Sequence, residues 1–325
     1  MQIERLEFPG RFLNGHIQTV LGSLGRRHKL HHPFFHHTLT LSDGDQLSCE
    51  ESRPTLWNPH QPTTIMVHGL GGDQNSRYML RMGKHLLEEG HRVIRANLRS
   101  CGPRYRSCRC IRPYHGGLSD DIFNIVKHFQ VKTSPTVALG YSLGGNILLK
   151  LAGERKEEMG HYLKGMVTVC PPFDLSKTVQ KILATKLGFY QTYFVVRLRS
   201  QYKQWADNNP ELNPPKLPYR MSIKDFDDFH TAPRWGFRDA EHYYESSSCA
   251  PFISDITVPC DIICSDDDPV VDIHTLYDLH LPKNVKVLKA TGGGHMGFLG
   301  SPFHPHGVRW IERVLLNLIR NKLAL

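Results

Sequence analysis

The chain has 325 residues, 40% apolar and 10% aromatic, with a formal net charge of +9. That length admits one large core or two ordinary domains, and the composition excludes a disordered chain, a collagen-like repeat and a fibre. No apolar run is long enough to span a bilayer. The opening Met1-Gln2-Ile3-Glu4-Arg5-Leu6 also lacks the basic, apolar and small-residue succession of a secretory signal, so a cytoplasmic protein is expected.

Apolar strand-like runs alternate with helical periodicity, which implies a mainly parallel sheet with helices on both faces. Near the start, the histidine-rich stretch 28–37 mixes in aromatics and Pro33 and reads as a surface connector rather than a metal site. Residues 63–67 read as a buried strand that ends in the glycine-rich turn His68-Gly69-Leu70-Gly71-Gly72. A helix is expected over 79–87 and stopped by Gly90, followed by a strand over 93–98. The next expected elements are a helix over 118–129, a strand over 136–139, a helix over 143–152 and a strand over 166–170.

From Asp174 to about Tyr244 no strand is visible. A long helical stretch covers 177–205, and the proline- and asparagine-dense 208–218 reads as a loop. This insert interrupts the strands and is read as a helical cap over the site, with additional core helices as the alternative. The sheet resumes at 260–264 and 285–288, and an amphipathic helix closes the chain over 307–322. One domain, 1–325, with a cap at 174–244 is therefore expected.

Much of the positive charge lies in Arg92, Arg95, Arg99, Arg104, Arg106, Arg109 and Arg112. These are expected to form a solvated basic face; attraction to an acidic substrate, a membrane surface or nucleic acid is the alternative. No nucleic-acid fold signature accompanies them, so no nucleic-acid partner is expected. Cys101, Cys108 and Cys110 lie close in sequence but lack a C-x-x-C pair and a matching second half, which argues against zinc. Other cysteines, among them Cys170, Cys260 and Cys264, sit in apolar runs and read as small buried residues.

A serine hydroxyl is a weak nucleophile. It needs a base, a group that orients the base, and donors aimed at the developing oxyanion. Ser142 lies in Gly140-Tyr141-Ser142-Leu143-Gly144, between an expected strand and an expected helix. G-x-S-x-G at that place is the spacing of a nucleophile elbow. His295, in Gly292-Gly293-Gly294-His295, follows the last strand and is the candidate base. For the acid, the run Asp266-Asp267-Asp268-Pro269 follows the strand before it. Asp268 is chosen because Pro269 disfavours helical geometry there; Asp267 is the alternative, and Asp272 reads as a helix cap. The order Ser, Asp, His is that of α/β-hydrolases. Oxyanion donors are expected from the backbone N–H groups of Leu143 and Leu70. The glycine-rich turn lacks G-x-G-x-x-G spacing and a following Lys-Ser/Thr, so it is not read as a nucleotide site. Two H-x-x-x-x-D patterns, His68 to Asp73 and His115 to Asp120, have a spacing linked to some acyltransferases.

These residues resemble the YheT-like α/β-hydrolases, a predicted-esterase family related to the ABHD-type lipases of eukaryotes. The resemblance runs over nearly the whole chain: Asn14-Gly15-His16-Ile17-Gln18-Thr19, Val67-His68-Gly69-Leu70, Arg99-Ser100-Cys101-Gly102, Tyr114-His115, Gly140 to Asn146, Asp267-Asp268-Pro269 and Gly293 to Phe298. It includes Asp225-Phe226-Asp227-Asp228 with Thr231-Ala232 in the insert. It departs at Asp266, where relatives often carry an apolar or small residue. The resemblance implies an α/β-hydrolase fold, carboxylic-ester hydrolysis and a triad at Ser142, Asp268 and His295.

The expected activity is hydrolysis of a short- or medium-chain ester or a monoacylglycerol-like ester, with no metal or organic cofactor required. An acyltransferase or thioesterase using the same triad, and a catalytically silent binding protein, are the alternatives. The expected partner is a small ester, with lipid-derived ones among the candidates. Peripheral membrane contact and oligomeric state stay open.

Overall fold

The computed structural model describes residues 3–10, 12–24, 30, 34–103, 108, 110–185 and 188–324. Nine strands form one sheet: β1 (Ile3–Leu6), β2 (Phe34–Thr40), β3 (Gln46–Ser52), β4 (Thr63–Val67), β5 (Arg92–Ala96), β6 (Thr136–Tyr141), β7 (Gly165–Val169), β8 (Cys260–Ser265) and β9 (Val285–Ala290). Their spatial order is β1-β9-β8-β7-β6-β4-β5-β3-β2. Among the described residues only the β2–β3 and β3–β5 pairings are antiparallel.

The central strands are buried on both faces, which is why they read as continuous apolar runs. Alternation along each strand divides the interior into two cores. Ile65, Val67 and Ala138 face one core with Ile122 and Val126 of α3 (Ser119–Phe129) and Ile147 and Leu151 of α4 (Leu143–Arg155). Met66, Val137 and Leu139 face the other, against Met79, Met82 and Leu86 of α2 (Arg77–Glu88) and Leu315 and Ile319 of α10 (Trp310–Leu323). Gly90 ends α2 as expected, in the left-handed region at φ +87°. A short helix near the start, α1 (Gly15–Ser23), is capped by Asn14, whose Oδ1 accepts from Ile17 N at 3.0 Å.

Between β7 and β8 lie α5 (Leu175–Ala184), α6 (Phe189–Asn208), α7 (Ile223–Phe226), α8 (Ala232–Trp235) and α9 (Ala240–Ser247). The long helix expected over 177–205 is two helices. Gly188, at φ +59°, precedes α6 and cannot continue α5 in register. No strand falls in the insert among the described residues, as expected.

Two further expectations are corrected. Of the histidine-rich stretch, residues 34–37 are the start of β2, not a connector: His37 Nε2 lies 2.9 Å from Glu51 on β3. Its residues 28, 29 and 31–33 lie outside the described ones. Nor do Arg92, Arg95 and Arg99 form a solvated face. Arg92, Arg95 and Arg99 are buried, Arg112 is partly exposed, and Arg104, Arg106 and Arg109 lie outside the described residues. Arg99 donates to both oxygens of Asp121 at 2.7 and 2.8 Å, to Asp43 at 2.6 Å and to Asp45 at 2.9 Å. Burial alone would lower its pKa; the bonds to Asp121 and Asp43 outweigh burial and raise it. Asp45 in turn accepts the backbone N–H groups of Ile111 and Arg112, so one cation ties three segments together beside β5.

Removing that cation leaves three carboxylates facing one another. Arg99→Met is expected to cost about 3–5 kcal/mol of stability, the usual range for breaking a buried pair on one side. Urea unfolding of variant and wild type measures it; a loss below about 1 kcal/mol, the value of an exposed pair, would reject the role.

Candidate active site

Parallel neighbours end at the same edge of a sheet, and in open α/β sheets ligands bind at the carboxyl ends of strands. Val67 of β4 pairs with Gly140 of β6, so the turn after β4 lies beside the turn after β6. That register brings Leu70 next to Ser142.

Ser142 joins β6 to α4 at φ +50°, ψ −120°, a conformation L side chains rarely adopt. Two glycines make the turn possible. A Cβ on Gly140 would stand 2.7 Å from the Gly144 carbonyl oxygen, and one on Gly144 would stand 2.5 Å from that of Val67. The backbone itself is tied down, with Ser142 N donating to Val169 O of β7 at 2.8 Å.

The structure brings the three candidate side chains into one line. His295 Nε2 is 2.9 Å from Ser142 Oγ, and His295 Nδ1 is 2.8 Å from Asp268 Oδ2. A carboxylate only accepts, so the proton sits on Nδ1 and Nε2 is free to accept from the serine hydroxyl. The other oxygen of Asp268 accepts from Val270 N and Val271 N at 2.8 and 2.9 Å. Asp267 holds a different position. Its Oδ1 accepts from Ser265 Oγ at 2.5 Å and from Gly294 N at 2.8 Å, so it clamps the turn that presents His295. Asp272 caps the following turn, accepting from His274 N.

His295 is held by a segment whose part in the site the residue chemistry did not disclose. Thr19 Oγ1 accepts from His295 N at 2.8 Å and donates to Gly15 O at 2.6 Å. The Gln18 amide bonds both the N–H and the C=O of Leu299. The packing is backbone on backbone: a Cβ on Gly15 would stand 1.9 Å from Asp267 O, and one on Gly294 would stand 2.1 Å from Gly15 O. The only sequence signal was Asn14-Gly15-His16-Ile17-Gln18-Thr19, quoted above for family likeness.

The turn after β4 has the N–H groups of Gly69, Gly71 and Gly72 paired. His68 is fully buried; Leu98 N donates to its Nε2 at 3.2 Å, which leaves Nδ1–H to donate to Gly69 O at 2.8 Å. Burial holds this imidazole below its ordinary pKa, so it stays neutral in that role. Gly72 N donates to the same carbonyl at 3.0 Å. In a planar trans peptide the N–H of Leu70 then points away from the pinned Gly69 oxygen. Leu143 opens α4, where N–H groups have no helical acceptor. Tyr78 and Tyr114 steady the turn by accepting from Gly69 N and Gly71 N.

The H-x-x-x-x-D patterns hold separate positions. His68 is the structural donor just described; His115 accepts from Gly117 N, and Asp120 pairs with Arg155. All eight cysteines are free and buried. Among the described residues one group could ligate a metal, Cys170, Asp268 and His295, with donor atoms within 4.8 Å of one another. Burial raises the Cys170 thiol well above its ordinary value, and the carboxylate and imidazole are already bonded to each other.

Two cavities meet at Ser142. One runs under the insert, lined by Leu143, Val179, Phe194, Leu198 and Trp205, and encloses about 950 Å³ between the atoms, its open mouth included. The other is a groove past His295, Thr19, Asp73, Arg77 and Tyr193. Leu70 borders both. No helix among the described residues is long and apolar enough to cross a membrane.

Comparison with known proteins agrees with this architecture. Residues 62–302 match the alpha/beta hydrolase fold family. A putative esterase, YheT of Escherichia coli, is 30% identical over 308 residues, covering 93% of this chain and 88% of its own. A monoacylglycerol lipase of Saccharomyces cerevisiae is 24% identical over 312 residues, covering 92% of this chain and 64% of that protein. Among solved structures, Est1E of Butyrivibrio proteoclasticus superposes with a TM-score of 0.55 at 15% identity, over 90% of this chain and all of that one, which speaks to the fold alone. The chain belongs to the alpha/beta hydrolase family, as a YheT-like, ABHD-type member.

Proposed function

We propose that this chain is a carboxylic ester hydrolase that works through an acyl-enzyme on Ser142. The observation that carries the reading is the Ser142–His295–Asp268 line, at 2.9 and 2.8 Å. The esterase and lipase names of relatives that span nearly the whole chain support it.

Ser142 Oγ attacks the ester carbonyl as His295 Nε2 takes its proton. Asp268 keeps the imidazole in the required tautomer and stabilises its cation. The N–H groups of Leu70 and Leu143 receive the oxyanion, where one such donor contributes roughly 3–4 kcal/mol to lowering the barrier. His295 returns its proton to the departing alcohol, which leaves by the groove past Thr19 and Arg77. Water, activated by His295, then releases the acid. These steps call on no metal or organic cofactor.

The insert at 174–244 acts as a cap. Its apolar residues wall the cavity beneath it, which suits a short- or medium-chain acyl group, or that of a monoacylglycerol-like ester.

Three outcomes test this. A fluorophosphonate probe is expected to label wild type and not Ser142→Ala, whose kcat on p-nitrophenyl esters falls about 10⁴-fold or more; a labelled variant would sink the assignment. Asp268→Asn should lose about 10⁴ in kcat, whereas Asp267→Asn, whose amide oxygen still accepts from Gly294 N, should lose less than about tenfold. The reverse ranking would make Asp267 the acid. Across p-nitrophenyl esters of increasing length, kcat/KM should rise until the cavity is filled; a flat profile would remove the support for an apolar acyl group.

A further inference from the structure

The cavity under the insert is not apolar throughout. Asp227 and His230 both line it and lie on a single π-helical turn, Asp227–Thr231, between α7 and α8. A π turn breaks the regular i→i−4 ladder and is frequent at functional sites.

Asp227 is 7% exposed. Its Oδ1 accepts from Thr231 Oγ1 at 2.6 Å and its Oδ2 from the Tyr244 hydroxyl at 2.7 Å. A carboxylate offers about four lone-pair positions, so each oxygen keeps capacity for a further donor. Burial pushes this carboxyl up to about 6, against the bonds from Thr231 and Tyr244.

His230 is 5% exposed, its ring set among those of Tyr202, Trp205 and Phe226 at 4.7, 4.8 and 5.4 Å between centroids. Among the described residues neither ring nitrogen has a hydrogen-bond partner, and the residue lines the cavity. Burial, with Arg234 nearby, pushes this imidazole down to about 3, so it is neutral and offers one donor and one acceptor.

A plain alkyl chain drawn into this cavity would strip water from His230 and the free lone pairs of Asp227 and give nothing back. Sites with buried polar groups discriminate strongly against ligands that leave those groups unpaired. A hydroxyl matches the pair, because it can donate to one group and accept from the other.

We propose that the acyl cavity selects an acyl chain bearing a hydroxyl group distant from the ester, bound by His230 and Asp227. This rests on the reading of Ser142 as the acylated residue.

The test compares p-nitrophenyl esters of straight alkanoic acids with those of the matching terminal hydroxyalkanoic acids, on the full-length protein. In wild type the ratio of kcat/KM, hydroxyl over plain, should exceed one and peak at one chain length. His230→Phe, which keeps the aromatic packing, should lower that peak ratio about tenfold. His230→Gln, which keeps a donor and an acceptor, should retain most of it. A ratio below one at every length in wild type overturns the proposal without reference to any variant. So does a ratio unchanged in His230→Phe, the result expected if the residue only supports the fold and slows both esters equally. Fluorophosphonate labelling separates the two failures. Wild type labelled at Ser142 with a flat ratio loses only the hydroxyl assignment; wild type not labelled loses the hydrolase reading and this inference with it.

Discussion

A serine at φ +50° costs about 1–3 kcal/mol and persists only where its surroundings over-determine it. Everything at the carboxyl edge of the sheet follows from that constraint. Gly140 lets the elbow fold back on itself, and Gly144 lets its backbone pass within contact of Val67 and His68, which brings the turn carrying Leu70 alongside. The same strained turn exposes Oγ at the point where two cavities meet. A Cβ at either glycine would push the elbow off the sheet, and the serine would lose its place beside His295.

Support for His295 is of another kind. Its loop runs through positive φ at Gly292, Gly293, Gly294 and Met296, so the chain winds there in a way no helix or strand would hold. What holds it is an acid on one side, Asp267, and Thr19 and Gln18 on the other. The adjacent aspartates divide the labour: Asp268 meets the imidazole and Asp267 meets the backbone that carries it.

The sheet's centre was legible because strands buried on both faces must be mainly apolar, and 63–67 and 166–170 announce themselves in that way. The elbow and the glycines before His295 were legible because unusual backbone needs unusual residues. What escaped was polar or short. β3 carries two glutamates and two serines, and its burial depends on partners such as His37 that only the fold brings near. β1 is an edge strand of four residues, and α1 is short, so neither carries a periodic signal. The buried arginines misled for a related reason: nothing local shows that Asp43, Asp45 and Asp121 converge on Arg99. The choice between Asp267 and Asp268 rested on Pro269, a local cue that happened to act on the residue facing the imidazole.

The pairing of β1 with β9 joins segments far apart in the sequence. β1 and α1 are therefore synthesised long before the segments they pack on. Until residues near 267 and 294 emerge, Gly15 and Thr19 lack the loop they are packed against, and the histidine loop in turn leans on them. The family match, 62–302, contains all three residues of the Ser142–His295–Asp268 line yet omits Gly15, Gln18 and Thr19. A protein trimmed to that span would keep the chemistry on paper and lose the wall that holds the imidazole in place.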